Sequence, residues 1–272
     1  MEERLGDRQM SKSNTPRIKK EDRLDILYQD ADIVVINKPA HLAAIPGRGE
    51  TDSVIERLSR NTGLPWKGKD DPRLRVVHRI DKDTTGVLLF AKHIGAQRHL
   101  SHQFQNNQIR KEYLALLIGK TVDDDGVIDA PLAPHPTARD RMSVSKQGRP
   151  AITEWRVEKR MRRFTLVRVF PKTGKTHQIR VHFCHYGYPL AIDPLYNSAQ
   201  SNAPAGSPIG IYLSQHKRHY RPTHGEEERP LIARLTLHAH KLGFVHPNGQ
   251  EMVIEAPVPK DLRATINQLS KA

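Results

Sequence analysis

The stretch Val76-Val77-His78-Arg79-Ile80-Asp81-Lys82-Asp83-Thr84-Thr85-Gly86-Val87-Leu88-Leu89-Phe90-Ala91-Lys92 joins a tight polar loop to an apolar run. The run reads as a strand and the loop ends at Gly86, so Asp81 sits at a strand mouth rather than within a ladder. A carboxylate so placed can face a cleft. Spacing alone also allows an Asx-turn, or a loop ion pair with Arg79 or Lys82.

Working outward, short β-branched runs alternate with turn residues at 33–37, 112–119, 164–170, 235–244 and 252–255, and each reads as a strand. Amphipathic stretches predict helices over 52–60 and 94–105, a third from an N-cap at Thr176 to a stop before Gly187, and a short one after Pro259. Strands outnumber helices without regular alternation. This favours an α+β fold with a mostly antiparallel mixed sheet over a wound parallel one. Residues 1–24 lack apolar periodicity and read as a flexible arm before one domain, 25–272. Residues 197–230, rich in Ser, Pro, Gly and charge, read as a surface insertion.

The chain has 272 residues with 44 Lys or Arg against 30 Asp or Glu, a net charge of +14 and a pI near 10.0. No apolar run approaches the roughly 20 residues of a membrane span. A single cysteine, Cys184, excludes an internal disulfide, and no CxxC pair exists to hold zinc. With no apolar core in the first twenty residues to act as an export signal, the expectation is a cytoplasmic protein. The excess positive charge calls for a polyanionic partner, with nucleic acid first, because cations that neutralise phosphates gain from counterion release. From Arg139 to Arg180 there are thirteen Lys or Arg and three acids, so the charge is concentrated.

A second segment, Lys172-Thr173-Gly174-Lys175-Thr176-His177-Gln178-Ile179-Arg180-Val181-His182, superficially suggests a phosphate loop. Val169 occupies the position where a Walker loop needs its first glycine, which disfavours nucleoside triphosphate binding. Arg180 could reach inward and grip a carboxylate with both arms of its fork, or lie on a solvated helix face. His177, His182 and His185 do not share one helical face and no HExxH is present, so no metal site is expected.

Five motifs, in order, carry a resemblance. They are Ile33-Val-Val-Ile-Asn-Lys38-Pro39, His78-Arg-Ile-Asp81-Lys-Asp-Thr-Thr-Gly86, Lys111-Glu-Tyr113-Leu-Ala, Gly174-Lys-Thr-His-Gln-Ile-Arg180-Val-His and Leu237-His-Ala-His240. Together the chain resembles the RluA family of pseudouridine synthases over residues 24–259. The resemblance implies isomerisation of a uridine within ribosomal or transfer RNA, with no cofactor, by a protein expected to act as a monomer. It implies Asp81 as the catalytic aspartate, Tyr113 as the tyrosine stacking on the target base, Arg180 as the partner of Asp81, and Arg79 as the side chain entering the RNA stack. Lys175, His177, Arg162 and Arg163 join Arg79 as expected RNA contacts.

Those roles are chemically coherent. A stacked uridine must be extruded before its sugar bond is reachable, at a few kcal/mol. One carboxylate, instead of a glycosidase's pair, suits a reaction that activates no water. A guanidinium beside it opposes the desolvation of a carboxylate in a cleft, and Tyr113 offers a ring face and a hydroxyl. Anomeric attack, addition to the ring and removal of a ribose proton all remain open for Asp81, with the last favoured. Ile80, Thr85 and Lys175 stand where the family usually has Leu, Ser and Arg. Ala191 replaces a common Gly before Asp193, which leaves Asp193 outside the expected catalytic set. The short arm leaves no space for an extra N-terminal RNA-binding domain, so target choice is expected to rest on the basic patch and the 197–230 loop. The rivals are a catalytically silent RNA-binding protein on the same scaffold and a glycosidase that uses Asp83 as its second carboxylate.

Overall fold

The chain enters the fold as an antiparallel hairpin, β1 (Asp25–Gln29) and β2 (Ile33–Lys38). The structure is a computed structural model that describes residues 22–271 except 48, 50, 198–199, 201–208, 218–219 and 221–226. After the hairpin come α1 (Val54–Thr62), β3 (Arg75–Val76), β4 (Thr85–Ala91), α2 (Ile94–Gln105) and β5 (Arg110–Ile118). Then follow β6 (Asp125–Asp129), β7 (Leu132–Pro134), β8 (Met142–Val144), β9 (Ile152–Arg160), β10 (Phe164–Pro171) and α3 (Gln178–His185). The chain closes with β11 (Leu237–Val245), β12 (Glu251–Glu255) and α4 (Lys260–Leu269). Ten strands form one sheet in the order β1-β2-β4-β11-β5-β10-β9-β6, with β3 also on β4 and β12 also on β11. Among the described residues of that sheet the β4–β11 pair is parallel and the others antiparallel, which makes the fold α+β with a mixed sheet.

Alternation along the strands divides the core. Val34, Ile36, Leu88 and Phe90 pack under Val54, Ile55 and Leu58 of α1, while Ile33, Val35, Val87 and Leu89 point the other way, onto Ala96 and Leu100 of α2. Because both faces are covered, β2 and β4 read as unbroken apolar runs. The second half repeats the arrangement. Ala115, Leu117, Val167 and Val169 meet Ile179 and Phe183 of α3, and Leu114, Leu116 and Leu166 meet Leu262 and Leu269 of α4. Tyr113 packs against both the α1 cluster and the α3 cluster, which puts it at the junction of the two halves.

The seam between β4 and β11 needs a glycine. Gly86 has φ +113, and a Cβ there would lie 2.0 Å from the Ala239 carbonyl oxygen. Pairing at this seam extends only through His238 with Thr85 and Ala239 with Gly86, and upstream the chain departs into the 77–84 turn.

Helix ends show where sequence reasoning slipped. α2 spans the expected residues, while α1 begins after Ser53, whose hydroxyl accepts from the Glu56 amide at 3.4 Å. The Thr176 cap does not form. α3 starts at Gln178 behind His177, a residue in the left-handed region with φ 55 and no capping side chain. Gln178 does the local tying instead: its Oε1 accepts from the Thr173 hydroxyl at 2.7 Å and the Lys175 amide at 3.0 Å. Its Nε2 donates to the Ile152 carbonyl at 2.9 Å. β9 had no counterpart among the expected strands, although Thr153, Trp155 and Val157 alternate with charged residues along it.

The expected arm lies outside the described residues apart from 22–24, where Leu24 is buried. Of the expected 197–230 insertion, much also lies outside them; within the described part, Asn197 and Ile211 are buried and Ile211 bridges to Ile232.

Candidate active site

A cavity of about 850 Å³ opens at the β4–β11 seam, lined by the 77–84 turn, Lys111 and Tyr113 of β5, the 173–180 segment and Leu237. Asp81 lies in its wall with a side chain 25% exposed, and Nη1 of Arg180 donates to its Oδ2 at 3.2 Å. The turn is closed by the Thr84 amide, which donates to the Asp81 carbonyl at 3.1 Å. The ion pair joins residues 99 positions apart.

Arg180 has a second partner, Asp193, which the sequence left outside the expected catalytic set. Its Nε donates to Oδ2 of Asp193 at 2.8 Å and its Nη2 to Oδ1 at 2.8 Å, so the bidentate grip belongs to Asp193 and a single arm is left for Asp81. Asp193 is fully buried and also accepts from the amides of Leu195 at 3.0 Å and Tyr196 at 3.2 Å. Burial opposes the charge on Arg180, but the bonds and charges of Asp193 and then Asp81 outweigh it and raise its pKa above the ordinary value. The guanidinium carbon also lies 5.0 Å from the centre of the Tyr196 ring. Asp193 thus sets where the guanidinium lies, and Asp81 meets it there.

Tyr113 forms another part of the cavity wall. Burial first, and then the charge of Asp81, push its hydroxyl pKa upward, so the phenol keeps its proton.

Two lysines shape the surroundings. Lys38 has no exposed surface, and its Nζ donates to the carbonyls of Pro39 at 2.7 Å, Leu42 at 2.8 Å and Lys82 at 2.7 Å. Burial lowers its pKa to about 7 against the pull of Asp83 and Asp81. Lys111, bonded to the Thr173 carbonyl at 3.0 Å, is held to about 8 by burial and by the neighbouring charge of Lys175. Lys38 and Lys111 stood in the motifs without assigned roles, and Asp193 was set aside. An apolar strand ending in lysine was the available hint for Lys38.

The expected RNA contacts divide into two groups. Arg79 is exposed at the rim of the cavity, and Lys175 and His177 line it. Nδ1 of His177 lies 2.8 Å from the Tyr196 hydroxyl, which accepts from the Met142 amide at 2.8 Å. Burial lowers the His177 pKa, with Asp81 opposing and Arg180 reinforcing the shift. Arg162 and Arg163 are not brought to this cavity; they line a separate groove at the other end of β10.

The basic stretch is also partly neutralised in space. Arg168 pairs with Glu112 and Glu158, Arg160 with Asp124 and Lys172 with Glu154. As for the histidines, His182 uses its ring nitrogens on Thr153 and the Ala130 carbonyl.

Residues 32–185 match the family described as RNA pseudouridylate synthase. The chain belongs to that family. Among pseudouridylate synthases, the ribosomal large subunit pseudouridine synthase D of Escherichia coli strain K12 is 38% identical over 240 residues, covering 88% of this chain and 68% of that protein. The protein of the same name from Nitrosomonas europaea is 36% identical over 247 residues, covering 90% and 65%. In fold, the human RNA pseudouridylate synthase domain containing 4 superposes with a TM-score of 0.66 at 23% identity, over 90% of this chain and 92% of that one. Human RNA pseudouridylate synthase domain containing 1 gives 0.65 at 22%, over 90% and 87%. As a pseudouridylate synthase the chain is an isomerase acting on uridine in RNA.

Proposed function

We propose that this pseudouridylate synthase converts uridine in large-subunit ribosomal RNA, with Asp81 as the carboxylate that meets the flipped nucleotide. The observation carrying the reading is the Asp81–Arg180–Asp193 chain beside Tyr113 in one open cavity. In the reaction the bond between N1 and C1′ breaks, the uracil turns, and C5 bonds to C1′. The C5 proton leaves and N1 takes up a proton, so the overall change is an isomerisation. Asp81 acts at the ribose side, where removal and return of a proton would let the glycosidic bond open. The Tyr113 ring supports the uracil, and its protonated hydroxyl lies on the side where the C5 proton is handled.

Arg79, exposed at the rim, fills the gap left in the RNA stack and offsets part of the few kcal/mol that flipping costs. Lys175 and His177 contact the flanking backbone from the opposite wall. Against a glycosidase reading, the other carboxylate lining the described cavity, Asp83, is half-exposed and lies 2.8 Å from the exposed His41 ring, and Asp193 is buried behind Arg180. The relatives' printed names support ribosomal RNA as the substrate, and action in the cytoplasm accords with that reading.

The experiment is tritium release from RNA labelled at C5 of uridine, with large-subunit ribosomal RNA and transfer RNA as separate substrates. Wild type is expected to release tritium from the ribosomal RNA, while Asp81→Asn binds it with unchanged affinity and releases none. Equal release by the two proteins would overturn the role of Asp81. Release from transfer RNA alone would overturn the substrate.

A further inference from the structure

At the end of β10 remote from the cavity, Arg162, Arg163, Phe164, Gln215, His216 and Leu269 line a groove of about 440 Å³. β10 runs between them, roughly 26 Å of strand at about 3.3 Å per residue, with the cavity on the α3 face of the sheet and the groove on the α4 face. The chemistry of the groove is one-sided. Both arginines are exposed, neither guanidinium makes a hydrogen bond or ion pair among the described residues, and no carboxylate lines the groove there. The neighbouring cations differ in this respect: Arg160, Arg168 and Lys172 are each matched by an acid. Residual charge is therefore concentrated at the β9–β10 turn. His216 sits with its ring edge-on to Phe164 at 5.1 Å, and burial first, then the charges of Arg163 and Arg162, lower its pKa.

We infer that this groove is a second RNA-contact surface, which takes backbone phosphates of a part of the substrate outside the catalytic cavity. The inference rests on RNA being the substrate. Two adjacent guanidinium forks suit phosphate oxygens. Phe164 is buried and turned onto His216, so its ring does not offer a stacking face to a base. Contact here therefore adds affinity irrespective of sequence and favours RNAs that extend far enough to span both sites.

The test measures binding as a function of salt with two uridine-containing ribosomal RNA fragments. One is a hairpin that fills the cavity alone, and the other carries a stem long enough to run the roughly 26 Å of β10 and to pass from the α3 face to the groove on the α4 face. Wild type is compared with Arg162→Gln/Arg163→Gln. On the long RNA the variant is expected to bind more weakly, with a slope of log K against log salt shallower by about 1.4 to 1.8, for two lost phosphate contacts. On the short RNA the two proteins should share one slope. An unchanged slope on the long RNA would overturn the inference, as would an equal loss on both RNAs. Tritium release by wild type from the same long RNA separates the two readings. Its absence together with the expected slope change would sink the catalytic proposal and leave the groove standing; release with an unchanged slope would do the reverse.

Discussion

Nζ of Lys38 donates to the Lys82 carbonyl at 2.7 Å, so a fully buried ammonium holds the backbone one residue beyond Asp81. Its other two bonds, to Pro39 and Leu42, fix the end of β2 and the loop after it. The turn that presents Asp81 is thus attached to the sheet through one side chain.

Three donations require all three ammonium protons, and one is lost as pH rises through about 7. Turnover is expected to decline along that limb. Lys38→Met should be slow throughout and show no such limb; a variant that kept it would refute the assignment. Stability follows the opposite course. Between about 7 and 10.5 the unfolded chain holds a proton that the fold has released, so the Lys38 contribution to stability rises with pH across that window. Below about 7 its cost is present in full. Denaturant unfolding at several pH values measures this, and Lys38→Met should flatten the dependence.

The bidentate pair makes Arg180→Ala a poor probe of catalysis by itself. It leaves Asp193 charged and buried without its partner, and breaking such a pair costs about 3–5 kcal/mol. Thermal unfolding should report that loss. Asp193→Asn keeps the shape while weakening the hold on Arg180, and should lower kcat with RNA affinity retained. Wild-type kcat in Asp193→Asn would show that Asp81 alone positions the guanidinium.

Tyr113 separates into ring and hydroxyl. Tyr113→Phe should bind RNA as wild type does and lose about 10²- to 10⁴-fold in tritium release, the range for a positioned proton-transfer group. Tyr113→Leu should in addition lose about 1–3 kcal/mol of binding as the stacking face disappears. Near-normal release by Tyr113→Phe would assign the proton to another group.

Gly86→Ala should fail at the level of folding. Its Cβ would overlap the Ala239 carbonyl at 2.0 Å, and φ +113 is unsuitable for a side chain. Loss of soluble protein, or a drop in melting temperature far beyond that of a surface change, is the expected result. A stable, active variant would show that the seam can widen.

Much of the fold was legible in the chain because apolar periodicity is a local property. The runs at Ile33, Gly86 and Phe164 are covered on both faces, which makes them continuous and easy to recognise. β9 is less legible, since Glu154, Arg156 and Glu158 on its outer face interrupt the apolar pattern while Thr153 and Trp155 turn inward. The α3 cap was misplaced because Gln178 ties the preceding turn from inside the helix, a long-side-chain bond that cap preferences do not anticipate.

By itself, the order of residues determined six of the twelve strands among the described residues, the polar turn that carries Asp81, the helix that carries Arg180 and the excess of positive charge. Only the tertiary structure decided which charges remain available. Asp193 claims most of Arg180, Glu112 and Asp124 neutralise part of the basic stretch, and Lys38 reaches a carbonyl 44 positions away. The reason is physical: an ion pair or a buried ammonium depends on distances of about 3 Å between groups far apart in the chain, and local propensity carries no information about them.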